Sequence, residues 1–96
     1  MLLCSEVLGV VPRLSEFYGI SIYMYFSDHN PAHFHAIYAE YEAIVSVEDG
    51  SIVRGGLPRT AARLVEQWRV LHETELRQNW VLAQIPAVLL PIEPLQ

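Results

Sequence analysis

Residues Ser21–Tyr38 read S-I-Y-M-Y-F-S-D-H-N-P-A-H-F-H-A-I-Y, and their side-chain order decides what kind of fold follows. Ile22, Met24 and Phe26 alternate with Tyr23 and Tyr25, which is the two-residue period of a half-buried strand over Ser21–Ser27. Asp28-His29-Asn30-Pro31 then supplies turn chemistry, with Asn30 biased toward extended geometry by the proline after it. The two-residue period resumes at His33–Tyr38. Phe34, Ala36 and Tyr38 share one side of that second strand, and His33 and His35 share the other.

Downstream, Tyr41–Val47 reads as a third strand with Tyr41, Ala43, Val45 and Val47 on one side. Glu48-Asp49-Gly50 is a hairpin signal, leading to a short strand at Ser51–Arg54 and a break at Gly55-Gly56. The period then changes. Pro58 suits the first position of a helix. From there Ala61, Val65, Trp68, His72, Leu76, Trp80 and Ala83 recur every three or four residues as one helical stripe. Arg59, Arg63, Glu66, Arg69, Glu73 and Arg77 fall largely on another side and read as a solvated face. The Arg69/Glu73 and Glu73/Arg77 pairs there are worth a few tenths of a kcal/mol each.

An unbroken helix over Pro58–Ala83 would be roughly 39 Å long. A domain of this size has a radius of gyration of about 12–13 Å. The spacing therefore predicts a bend or break near His72–Thr74, or an end that projects toward a partner. The expected plan is a single α+β domain over residues 1–96. It has a β-meander of about four strands over 12–54, a helical segment over 58–83 and an extended, proline-rich tail over 84–96.

The 96-residue chain is 52% hydrophobic and carries a net charge of -5, and all six of its basic residues are arginines. That acidic balance disfavours nucleic-acid binding over a broad basic face, while leaving room for a local arginine site. The high apolar content suggests a covering partner or a homodimer. Cys4 stands alone, so no internal disulfide forms, and a reducing compartment is expected. The apolar N-terminus carries Glu6, lacks a basic n-region and is too short to span a bilayer. No membrane association and a cytoplasmic location are the expectation.

Three of the four histidines lie within Asp28–Ala36. If Ile22, Met24 and Phe26 face the core, then Tyr23 and Tyr25 share the opposite face with His33 and His35, and Asp28 and His29 stand at its rim. Several kinds of chemistry fit this face. His33 and His35 two residues apart on a strand aim two imidazoles at one point, and His29 or Asp28 would complete a site for a divalent metal such as zinc. Without a metal, His33 and His35 are candidate catalytic groups of a hydrolase or ribonuclease, for example cleaving phosphodiesters in RNA, sharing general base and acid roles, with Arg54 or a tyrosine near the phosphate. An amphipathic His/Tyr face with Tyr23, Tyr25 and Arg54 suits protein binding, and binding of a partner protein through this face is the leading expectation, with a hydrolase using His29, His33 and His35 as the alternative. The plain alternative is that the histidines only donate to backbone carbonyls or to Asp28. Trp68 and Trp80 read as core, and His72 as a half-buried, hydrogen-bonded imidazole. Glu40 and Glu42 reach the histidines only if the second and third strands pair as a hairpin, which spacing alone does not establish.

The run F-Y-G-I-S-I-Y-M-Y-F-S-D-H-N-P-A-H-F-H-A resembles a bacterial family, the domain of unknown function numbered 4160. Leu57-Pro58-Arg59, Trp68 with His72, and Asn79-Trp80 resemble its later segment. Ala32 stands where that family usually has a second proline. The resemblance implies that Asp28, His29, His33 and His35 form the functional group, with no role assigned to each. It also implies one half of a toxin–antitoxin-like gene pair, and so a small cognate protein partner. The family usually begins just before its F-Y-G element. On that pattern Val11 is expected to be the true start and Met1–Val10 an extension, an expectation that detection of Met1–Val10 peptides in natively expressed protein would refute.

Overall fold

The computed structural model of the chain describes residues 13–85 and 88–96. The expected extension at Met1–Val10 lies outside the described residues. The elements run β1 (Arg13–Phe17), β2 (Ile20–Tyr23), β3 (His33–Tyr38), β4 (Tyr41–Ser46), β5 (Ile52–Gly55), α1 (Arg59–Leu71) and α2 (Glu73–Gln84). The five strands form one antiparallel sheet in the order β1-β2-β3-β4-β5, so every neighbour in sequence is a neighbour in space. The architecture is α+β, as the sequence predicts.

Two details differ from the sequence reading. Strand β1 has no counterpart in it, because the β1–β2 register shifts between Arg13 and Ser15. That irregularity turns both Leu14 and Ser15 inward and erases the two-residue period. Its partner strand follows a two-residue turn, Tyr18-Gly19, in which both residues have positive φ (50° and 78°). Such a turn matches the twist of a tight hairpin. The second difference is where β2 ends. It stops at Tyr23, and Ser27 takes a left-handed φ of 57°. Phe26, expected in the core, is therefore carried outward and is 39% exposed, whereas Ile22 and Met24 are fully buried.

The helical stripe packs on the sheet face carrying Ile20, Ile22, Phe34, Ala36, Ala43 and Val45. Trp68 is its centre, tilted against Phe17 and edge-on to Phe34, with its indole N–H donating to the Glu93 carbonyl. The expected break falls at His72, which ends α1 and precedes α2. His72 is half-buried, its ring bonded to Glu75.

The charged face of the helix is not uniformly solvated. Arg69 is only 5% exposed. It donates to both carboxylate oxygens of Glu66 (2.9 and 2.7 Å), to Glu73 (2.9 Å) and to the Val47 carbonyl (3.0 Å). This clamp ties α1 to the end of β4 and replaces the weak surface pair expected from spacing. It exists because Val47 lies directly under the helix, which spacing along the helix cannot reveal.

The tail lacks regular structure over the described residues 88–96 and buries Ile92. Asn79, itself buried, secures it by accepting from the Leu90 N–H and donating to the Leu90 carbonyl. Ile92 N–H donates to the Leu14 carbonyl beside the sheet edge.

Candidate metal centre

The β3–β4 hairpin decides the site. Tyr38 pairs with Tyr41, which places His35 opposite Ile44 and His33 opposite Ser46. Tyr23 pairs with His35 from the other side, and Ile44 pairs with Arg54. Paired residues point to the same face, so Tyr23, His35, Ile44 and Arg54 form one row across β2–β5. Glu42, two residues before Ile44, shares that face and reaches His35 diagonally.

The loop Asp28–Ala32 folds over the end of this face. Helix α2 holds it there: Ser27 N–H donates to the Ala83 carbonyl, and the Trp80 indole donates to Asn30 Oδ1. The Trp80 ring also lies against His33, with centroids 5.1 Å apart.

Hydrogen-bond geometry assigns the proton on each imidazole. His33 Nδ1 sits 2.8 Å from the Pro31 carbonyl, which only accepts, so Nδ1 carries the proton. His33 Nε2 then faces Asp28 Oδ2 at 2.8 Å. His35 Nδ1 donates to Glu42 Oε2 at 2.9 Å, leaving Nε2 as its lone-pair nitrogen. That atom is buried, has no partner, and lies 3.9 Å from the same Asp28 Oδ2. Two ring nitrogens and a carboxylate oxygen thus converge, and these ligand atoms of Asp28, His33 and His35 all lie within 4.8 Å of one another. At 2.8 Å, His33 Nε2 and Asp28 Oδ2 require a proton or a cation between them.

A four-coordinate zinc with ligands at about 2.0–2.1 Å sets its ligand atoms roughly 3.3 Å apart. The 2.8 and 3.9 Å separations from Asp28 Oδ2 bracket that spacing, and the two histidine nitrogens lie within 4.8 Å of each other, so small side-chain movements would seat a cation. The other ring nitrogens are already engaged, one by a backbone carbonyl and one by a carboxylate. Metal-binding histidines are habitually oriented in this way.

Burial pushes the Asp28 carboxyl up, but the His29 backbone N–H and the bond from His33 outweigh it, and the group ends below the usual aspartate range. It is therefore an anion at neutral pH, as a ligand must be. Tyr25 stands edge-on to His35 with centroids 4.5 Å apart, and Tyr23 stacks behind it at 6.4 Å. Burial, and then the Glu42 carboxylate, push the Tyr25 hydroxyl above its ordinary value.

His29 is not brought into the cluster. Its side chain is 89% exposed and its Nδ1 lies 3.1 Å from the other Asp28 oxygen. Arg54 lines a cavity of about 270 Å³ together with His29 and His33, while Asp28 and His35 are not part of its lining. Sequence reasoning left Glu42 undecided, and it took Trp80 for core alone. The signal for Glu42 was its offset of two from the partner of His35, readable only once the hairpin register is known.

The geometry defines a small α+β protein with a two-histidine, one-carboxylate cluster at the end of an antiparallel sheet. The chain belongs to the domain of unknown function family (DUF4160), whose model matches residues 19–81 and so spans the cluster. No curated protein and no solved structure matches it. No helix among the described residues is long and apolar enough to cross a membrane.

Proposed function

We propose that Asp28, His33 and His35 hold a divalent cation such as zinc, which accepts their N and O donors, and that the centre serves a hydrolytic reaction. The observation that carries this is His35 Nε2: a buried ring nitrogen with no hydrogen-bond partner, turned toward a carboxylate. Leaving such a group unpaired costs about 1–3 kcal/mol. A shared cation removes that cost and explains why Pro31 and Glu42 bind the opposite ring nitrogens. Three protein ligands leave a coordination position for water, whose pKa a bound zinc lowers to about 7. His29, at the rim on the second Asp28 oxygen, is placed to exchange protons with solvent. Without a metal, His33 and His35 would be the acid–base pair.

The test is elemental analysis of protein purified with neither a histidine tag nor a chelator. Near-stoichiometric zinc that is lost in the His33→Ala/His35→Ala double variant is the expected result. Metal-free protein that stays metal-free after reconstitution with zinc overturns the centre.

A second reading has its own support. Val70 and Leu71 on α1 are 56% and 67% exposed, beside the partly buried Leu95 of the tail. An apolar patch of that kind suits the cognate protein of a toxin–antitoxin-like pair. Co-expression with the product of the adjacent gene, comparing the native chain with Val70→Asp/Leu71→Asp, should give a complex that the variant loses. Separate elution of both native proteins counts against this reading.

A further inference from the structure

We propose that the cavity between β5 and the histidine loop binds the phosphate group of a small organic phosphate ester, anchored by Arg54. The proposal names the substrate class for the centre described above and rests on that reading for the reaction, though not for the binding itself.

The first support is the sign of charge. The chain has 11 acidic and 6 basic residues, yet the residues lining this cavity include Arg54, His29 and His33 and no carboxylate. Among the described residues, Arg13, Arg69 and Arg77 pair with glutamates, whereas Arg54, Arg59 and Arg63 do not, and of these three only Arg54 lines this cavity. An arginine left unpaired at a cavity wall in an acidic protein is set for an anion from outside, and its planar fork fits phosphate.

The second support is how the backbone delivers it. The β4–β5 register shifts between Ile44 and Val45, so Ile44 opposes Arg54 while Val45 opposes Ile52. This bulge leaves Val53 as the extra residue and brings Val53 and Arg54, neighbours in sequence, both to the cavity wall. Bulges of this kind re-aim side chains beside functional sites. Ser46 stands on the same wall, its hydroxyl accepting from the Glu48 N–H.

The third support is size and lining. At about 270 Å³ the cavity falls just below the usual range for ligand sites, and Pro31, Ala32, Ile44 and Val53 make the rest of its wall apolar. It takes one phosphate and a compact organic body. The same dimensions and the net charge of -5 disfavour a nucleic-acid strand. His33, common to the cavity and the cluster, sets the phosphate beside the proposed metal. Hydrolysis there would add the hydroxyl of water to phosphorus, break the ester P–O bond, and pass the remaining proton of that water to the departing alkoxide, with His29 placed to relay it.

The experiment is an amide-resolved NMR titration of zinc-supplemented and of chelator-treated protein, with inorganic phosphate and with phenyl phosphate as probes. Saturable shifts at Val53, Arg54 and Ser46 are expected, with phenyl phosphate about tenfold tighter. Arg54→Met, at an exposed position, should weaken both probes by about tenfold or more and leave zinc content unchanged. No saturable shift with either probe overturns the proposal, as does unchanged affinity in Arg54→Met. A short single-stranded RNA that displaces phenyl phosphate at lower concentration overturns the small-ester assignment. Phosphate binding through Arg54 in a protein that takes up no zinc would refute the metal centre alone, and zinc without phosphate binding would refute this inference alone.

Discussion

Glu42 is the residue at which the metal reading is easiest to break without disturbing the fold. It lies on β4, touches no metal ligand atom, and accepts from His35 Nδ1 at 2.9 Å. Loss of a carboxylate that orients a ligating histidine typically costs 10- to 100-fold in metal affinity. Because the Glu42 side chain is 52% exposed, solvent screens its charge and the lower end applies. Glu42→Ala should therefore weaken zinc by about tenfold, which is about 1.4 kcal/mol. Glu42→Gln keeps an oxygen that can accept from Nδ1 and loses only the charge, so about threefold is expected. The assay is competition for zinc against a chromophoric chelator at neutral pH, beside thermal melts of both variants in excess chelator. Without metal, a half-exposed pair of this kind is worth about 0–1 kcal/mol, so the melts should barely move. Unchanged zinc affinity in Glu42→Ala would refute the reasoning. A fall in affinity matched by an equal fall in metal-free stability would show that the bond to His35 is structural.

Other positions test the frame around the site. Arg69→Met should destabilise the protein by about 2–3 kcal/mol in urea unfolding, because the buried Val47 carbonyl loses its donor and two glutamates lose their cation; a change below about 0.5 kcal/mol would return Arg69 to the status of a surface residue. At Gly55, where φ is +76°, an added Cβ would stand 2.1 Å from the Glu42 carbonyl oxygen. Backbone cannot yield there as a side chain does, so Gly55→Ala should part β5 from β4, seen as faster amide exchange at the strand and weaker phosphate binding; native-like exchange would contradict it. Asp49 accepts from the Ser51 N–H in the turn before β5, and that bond holds its carboxyl below the usual aspartate range. A depressed folded value means that its contribution is complete above the ordinary aspartate pKa and fades as pH falls through the lower one. Carboxyl-detected NMR should therefore find Asp49 titrating below an unstructured aspartate, and an equal midpoint would remove Asp49 from the account of acid stability.

Much of this molecule is written in local periods. Alternation along Ser21–Tyr38 and the three- and four-residue spacing from Ala61 to Ala83 depend on neighbours in the chain, so they predict strands and the helical stripe without any knowledge of what packs where, and the length of that stripe against the size of the domain predicts a bend, break or projecting end. The same alternation puts His33, His35, Tyr23 and Tyr25 on one face, and the turn residues put Asp28 at its rim. What alternation cannot supply is the distance between residues on different strands or the proton on a given ring nitrogen. The pairing of Tyr38 with Tyr41 chose Glu42 over Glu40 as the partner of His35. The pairing of Ile44 with Arg54, through a bulge, set an arginine near the histidines. Only the packing of α2 on the Asp28–Ala32 loop separated Asp28, which joins His33 and His35, from His29, which points to water. Sequence alone determined which residue types share a face, because side-chain direction is a property of the backbone step. Tertiary structure decided which of them meet, because burial, register and the satisfaction of each lone pair are settled between segments far apart in the chain.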